Sequence, residues 1–236
     1  MKIALAQINP TVGGIGGNTK KIISIIKKTK ADIVVFPELS ITGYSPQDLL
    51  LKRSFVEQNI SALKKIVLNA KNKSAVIGFV ERDGNNNLYN SAAIIKNQQI
   101  ITIHRKICLP NYAIFDEKRW FREGSETAIF NFLGKKIGVS ICEDIWFPET
   151  AKSQKEQGAD LIINISASPY SKGKIEKIEE VLMQRWKENK IPVIYVNQVG
   201  AQDGIVYYGH SMFVSNGKIM QKAKDFEEDT LTLKIK

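Results

Sequence analysis

Four short runs rich in isoleucine and valine, at residues 33–36, 136–141, 161–164 and 193–196, most narrow the folds open to this chain. Runs of this length and composition predict buried strands rather than helices. Segments with helical spacing of apolar residues, 149–156 and 175–188, separate the last three. Strands are also expected over 2–8, 75–80, 92–95, 100–104, 211–214, 217–221 and 230–235. Asn18 is placed to cap a helix carrying Ile22, Ile23, Ile25 and Ile26, and another helix is expected around 55–69. Residues 83–87 read as a turn, Lys96-Asn97-Gln98-Gln99 as a hairpin turn, and Ser215-Asn216-Gly217 as a second one. Strands outnumber helices and both recur throughout, so the fold class is layered α/β. At 236 residues and 43% hydrophobic composition, one domain over 1–236 can bury its own core.

Several function classes are disfavoured on the same page. The N-terminus has no basic stretch leading to a cleavage site and no apolar run reaches a membrane span, so the expected location is cytoplasmic, away from the membrane. Cys108 and Cys142 are the only cysteines, and no metal-ligand spacing occurs, so neither metal nor cofactor is expected. The net charge of +10 invites a nucleic-acid reading. Yet the lysines are scattered through Lys20-Lys21, Lys27-Lys28, Lys64-Lys65 and residues 172–177, without interleaved aromatics, and read as solvated helix faces. Gly13-Gly14-Ile15-Gly16-Gly17 lacks the spacing of a phosphate loop and reads as a turn.

Three strand ends carry reactive groups. Phe36-Pro37-Glu38-Leu39 puts a carboxylate just past a buried strand, and His104-Arg105-Lys106 puts an ammonium between a strand and the proline-marked loop Leu109-Pro110. Alone, each is also what a surface side chain looks like. Gly138-Val139-Ser140-Ile141-Cys142-Glu143-Asp144 is stronger, because a thiol at the end of a strand faces what lies above the sheet, with free backbone N–H groups just beyond it. Together the three make a set for acyl transfer. Cys142 attacks a carbonyl carbon, Glu38 takes and returns the proton, and Lys106 with the N–H after Cys142 steadies the oxyanion. His104 falls within an alternating strand and His210 in a glycine-rich turn, which gives a Cys–His pair little support.

In this order of residues the chain resembles the nitrilase superfamily, whose members share a Glu-Lys-Cys triad on an α-β-β-α sandwich. The segments Pro37-Glu38-Leu39-Ser40-Ile41-Thr42-Gly43-Tyr44, Leu109-Pro110-Asn111-Tyr112 with Phe115-Asp116-Glu117, and Ile141-Cys142-Glu143-Asp144-Ile145-Trp146 look most like the glutaminase domain of glutamine-dependent NAD synthetases. Asn164-Ile165-Ser166-Ala167-Ser168-Pro169-Tyr170 and Val196-Asn197-Gln198-Val199-Gly200-Ala201-Gln202-Asp203 extend the likeness over nearly the whole chain. The resemblance implies that Tyr44, Tyr112, Glu143, Trp146 and Ser168 surround a glutamine, and that Glu117 is a supporting carboxylate that orients Lys106 and Cys142. A free amino acid fits such a set: its ammonium needs an acid such as Glu143, and aromatic walls exclude water.

The same resemblance implies at least a dimer and a glutamine-fed NAD synthetase system. No Ser-Gly-Gly-x-x-Ser pyrophosphate loop occurs before Lys236, so the synthetase domain is expected to be absent here. That leaves a glutaminase subunit serving a separate ATP-dependent synthetase, a relative acting on another small amide (an amidase, ω-amidase or carbamoyl hydrolase), or a piece of a longer protein. A catalytically silent interaction subunit is the non-enzymatic alternative.

Overall fold

Unbroken apolar strands need cover on both faces, and four layers supply it. The computed structural model describes residues 1–235. In chain order the elements are β1 (Lys2–Gln7), α1 (Ile15–Lys28), β2 (Ile33–Val35), α2 (Arg53–Asn69), β3 (Ser74–Arg82), β4 (Leu88–Lys96), β5 (Gln99–Arg105), the short α3 (Glu117–Trp120), β6 (Ala128–Phe132) and β7 (Lys135–Ile141). After a 3-10 turn at Cys142–Ile145 come α4 (Pro148–Glu156), β8 (Leu161–Ser166), α5 (Lys174–Asn189), β9 (Val193–Asn197), β10 (Val199–Gln202), β11 (Ile205–Tyr208), β12 (Met212–Ser215), β13 (Lys218–Lys222) and β14 (Asp229–Lys234).

The strands form two six-stranded sheets, ordered β14-β1-β2-β3-β4-β5 and β13-β12-β9-β8-β7-β6. Parallel strands sit at the heart of each, β1-β2-β3 in the first and β7-β8-β9 in the second, with antiparallel strands outside them. Strand alternation sorts the side chains into layers. Ile3, Leu5, Ile33 and Val35 of the first sheet meet Val139, Ile141, Ile163 and Ile165 of the second in a central core. The intervening Ala4, Ala6, Val34 and Phe36 face outward and pack under Ile22 and Ile26 of α1 and Leu63 and Ile66 of α2. On the far side, Ile162, Val193 and Tyr195 pack under Ala151 of α4 and Ile178 and Leu182 of α5. Full burial of a large aliphatic side chain contributes about 1.5–3 kcal/mol, so each layer is held by several such side chains. The layering is the α-β-β-α sandwich expected from the resemblance.

The structure corrects three local expectations. Asn18 does not cap α1, which starts at Ile15 and takes Gly16 and Gly17 into its first turn. The Asn18 amide instead accepts from Thr11 N–H at 2.9 Å and donates to Thr11 O at 2.8 Å and Ile41 O at 3.0 Å, tying two loops together. The stretch after Gln198, to which the sequence assigns no strand, is a hairpin, β10-β11, reversed at Asp203 and Gly204, where φ is +51° and +74°. Asp-Gly suits that two-residue reversal because both central residues need positive φ. Strand β6, which pairs antiparallel with β7, was not expected at all. Among the described residues no helix is long and apolar enough to cross a membrane.

Candidate active site

Glu38 follows β2, Cys142 follows β7, and Ala167 and Ser168 follow β8, so these residues gather at the carboxyl ends of the parallel strands, where open α/β sheets bind ligands. The Glu38 loop crosses directly over β3. A Cβ on Gly78 would lie 2.4 Å from Leu39 N and 2.5 Å from Pro37 O, so only glycine lets the loop lie so close. Ile41 N–H and the Ser40 hydroxyl then donate to the Gly78 carbonyl, at 3.3 Å and 3.2 Å.

The Glu38 carboxylate is fully buried and each of its oxygens is engaged. Oε1 accepts from Lys106 Nζ at 2.7 Å and from Asn90 Nδ2 at 2.7 Å, and Oε2 accepts from Ala167 N–H at 2.9 Å. Lys106 lies one residue past β5, where its N–H donates to Asn90 O. Its ammonium also donates to Glu117 Oε1 at 2.7 Å, and that same oxygen accepts the Tyr44 hydroxyl at 2.7 Å. One buried cation therefore sits between two buried carboxylates. Burial pushes the Glu117 carboxyl up to about 7, against the pull of the Lys106 charge. The lysine responds to the opposite balance: burial works against its charge, but Glu117 and Glu38 hold it well above its usual range.

Cys142 opens the 3-10 turn with φ +44°, a left-handed conformation costly to a residue with a Cβ. Its backbone is thus bent sharply off β7, as a nucleophile elbow requires. The thiol is buried, and burial together with the Glu38 charge raises it well above its usual value, while Lys106 lowers it. Cys108 differs in setting: it is half-buried beyond Lys106, and burial and the Asp144 charge push it up to about 11.

The structure brings the other expected residues to the same end of the sandwich. The Tyr112 hydroxyl, on an exposed side chain, donates to Glu143 Oε1 at 2.9 Å, and Phe115 stacks edge-on against both Tyr112 and Tyr44. Trp146 is partly buried at the end of the turn. Ser168 is locked to Asn197, whose side chain accepts from Ser168 N–H at 2.8 Å and donates to Ser168 O at 3.3 Å. The two histidines lie in other contacts: His104 on Asp144, and His210 between Asp225 and Glu179.

Two features of the site were not singled out in the sequence. Lys174, counted above with solvated lysines, is instead half-buried, its ammonium 3.8 Å from the Trp146 ring centre. Burial lowers its pKa, and its neighbours Cys142 and Glu143 pull it back up. Its position just past Gly173, close behind Ser168-Pro169-Tyr170, was the available signal. The second is Asp144, a fully buried carboxylate in the turn itself.

The carbon-nitrogen hydrolase family profile matches residues 2–236. Glutamine-dependent NAD(+) synthetase of Aquifex aeolicus is 40% identical over 243 residues, a match covering 100% of this chain and 42% of that protein. The Thermotoga maritima protein of the same name is 38% identical, again over 100% of this chain and 42% of its own length. The structure of glutamine-dependent NAD+ synthetase from Acinetobacter baumannii superposes with a TM-score of 0.92 at 38% identity, covering 98% of this chain and 44% of that one. An amidase from Nesterenkonia sp., at 23% identity, shares the fold, with a TM-score of 0.88 over 99% of this chain and 89% of that one. The chain thus spans about two fifths of the length of the NAD(+) synthetases it matches.

Proposed function

The chain belongs to the carbon-nitrogen hydrolase family, and on that premise we propose that it hydrolyses the side-chain amide of glutamine and releases ammonia for NAD synthesis. The observation that carries the reading is the Lys106 ammonium, 2.7 Å from both Glu38 and Glu117, with its charge felt at the Cys142 thiol. In this scheme Glu38 removes the thiol proton as Cys142 Sγ bonds to the amide carbon. The oxyanion so formed takes hydrogen bonds from Lys106 and from the backbone N–H after Cys142. Collapse breaks the C–N bond, Glu38 passes its proton to the leaving nitrogen, and ammonia departs from a thioester. Water, deprotonated by Glu38, adds to the thioester carbonyl, and glutamate leaves as the sulfur regains its proton.

Glutamine is favoured because the free amino acid carries two charges and the site offers a partner for each. Glu143, steadied by Tyr112, suits the ammonium, and Lys174, braced over Trp146, suits the carboxylate. The ammonia acceptor in this reading is an ATP-dependent NAD synthetase activity, as in the system the relatives are named for. The test is a substrate screen by ammonia release. Glutamine should give the highest kcat/KM, ahead of glutaramate, which lacks the ammonium, and γ-aminobutyramide, which lacks the carboxylate. Equal turnover of all three, or preference for an uncharged amide, would leave a general small-amide hydrolase as the better reading. Addition of an ammonia-dependent NAD synthetase, with ATP and the deamidated dinucleotide acid as co-substrates, should convert the released ammonia into the amide of NAD.

A further inference from the structure

We propose that Asp144 is a positioning residue that holds the Lys106 ammonium in register with the Cys142 thiol. The inference deepens the amide-hydrolase reading and rests on it. Lys106 leaves the first sheet at the end of β5, whereas Cys142 leaves the second at the end of β7. Stacked sheets stand roughly 10 Å apart, so loops rising from each can slide unless something bonds them. Asp144 does this with four hydrogen bonds. Its Oδ1 accepts from the N–H groups of Ile107 at 3.0 Å and Cys108 at 2.8 Å, the two residues after Lys106. Its Oδ2 accepts from Ile141 N–H at 2.9 Å, the residue before Cys142, and from His104 Nε2 at 2.9 Å, two residues before Lys106.

A carboxylate only accepts, so His104 carries the proton on Nε2. Both side chains are fully buried, where an ionised carboxylate is tolerable only when its lone pairs are filled, as these are. One group therefore grips the chain on both sides of the ammonium and just ahead of the nucleophile. Glu38 is tied separately, through Ala167 N–H. Asparagine at 144 keeps the shape but turns an NH₂ toward one of the two donor sets, so either the Ile107 and Cys108 bonds or those of Ile141 and His104 lose their acceptor.

The test compares purified wild type and D144N. A displacement of about 1 Å in a catalytic group costs about 10²-fold in rate, so D144N should lose about that much in kcat with KM for glutamine within about threefold of wild type. Alkylation of Cys142 by iodoacetamide gives a readout that fold stability alone does not move. With Lys106 out of place, its lowering effect on the thiol weakens, and the pH profile of alkylation should move up by about one unit in folded D144N. A folded D144N with near-normal kcat and an unmoved profile overturns the proposal. Should D144N not fold, H104Q and H104L decide: glutamine can donate where His104 Nε2 does, leucine cannot, and only H104L should slow turnover. Equal kcat in H104Q and H104L overturns it. Absence of ammonia release by wild type would count against the amide-hydrolase reading, while the alkylation profiles report on positioning without turnover.

Discussion

Lys106 Nζ and Glu117 Oε1 stand 2.7 Å apart with both side chains shut away from water. Glu117, raised from 4.5 to about 7 by burial, thus titrates near neutrality while bonded to the proposed oxyanion donor. Below about 7 its protonation loosens the hold on Lys106. The expected kcat/KM profile rises with pH through about 7, and E117Q should lose that limb and stay low and flat, as measured by initial ammonia release across pH 5.5–8.5. The stability effect has the opposite sign. Between 4.5 and about 7 the folded protein keeps a proton that the unfolded chain gives up, so this carboxyl favours the fold in acid and that contribution fades as pH rises through about 7. Denaturant midpoints for wild type and E117Q should diverge across this window.

The two cysteines should separate cleanly. C142A is expected to abolish ammonia release, and C108A to keep most of it, since Cys142 follows β7 where the charges of Glu38 and Lys106 both act on its thiol, whereas Cys108 lies half-buried beyond Lys106 under the charge of Asp144. Melting temperatures measured beside the rates distinguish loss of chemistry from loss of fold.

For Glu38 and Lys106 the expected losses differ in kind. E38Q preserves shape but removes the proton acceptor, so kcat should fall by at least about 10²-fold in a folded protein, with a lowered melting temperature because the new NH₂ meets the donors of Lys106 and Asn90 or that of Ala167. K106A removes an oxyanion donor, about 10²–10³-fold in rate, and also leaves two carboxylates facing each other without their cation. Breaking such a buried pair costs about 3–5 kcal/mol, relieved in part by protonation of Glu117. K106A should still fold, with a lower denaturant midpoint that recovers as pH falls.

Gly78 touches no expected reactant, yet G78A should be severe for activity. The added Cβ would meet Leu39 N at 2.4 Å and Pro37 O at 2.5 Å, backbone atoms that yield only if the Glu38 loop lifts. The expected result is a folded protein with kcat reduced by about 10²-fold. Normal kcat in folded G78A would show that the loop position is not critical.

Much of this was legible in the sequence because burial writes itself into composition. The buried strands β2, β7, β8 and β9 appear as Ile- and Val-rich runs, and Glu38 and Cys142 could be read as chemistry because they stand where such runs stop. What stayed hidden was decided by long-range contact. Lys174 looks like its solvated neighbours until Trp146 is folded beneath it. Asp144 sits in an acidic cluster that names no partner, although its four donors come from residues 3 to 40 positions away. Asn18 has the composition of a helix cap and serves a loop instead. Strand β6, Ala128–Phe132, does carry a short apolar and aromatic run, broken by Asn131 and set behind a charged stretch, and its pairing with β7 is what marks it as a strand.

The proposed mechanism stands on a covalent bond at one sulfur. Wild-type protein mixed with glutamine, quenched in acid within the first turnovers and mapped by peptide mass spectrometry should carry a γ-glutamyl adduct on the Cys142 peptide. The adduct should be absent in C142A and should build up in a variant slow to hydrolyse the thioester. Ammonia release with no adduct at Cys142 in such a variant, or an adduct on Cys108 instead, would contradict the assignment.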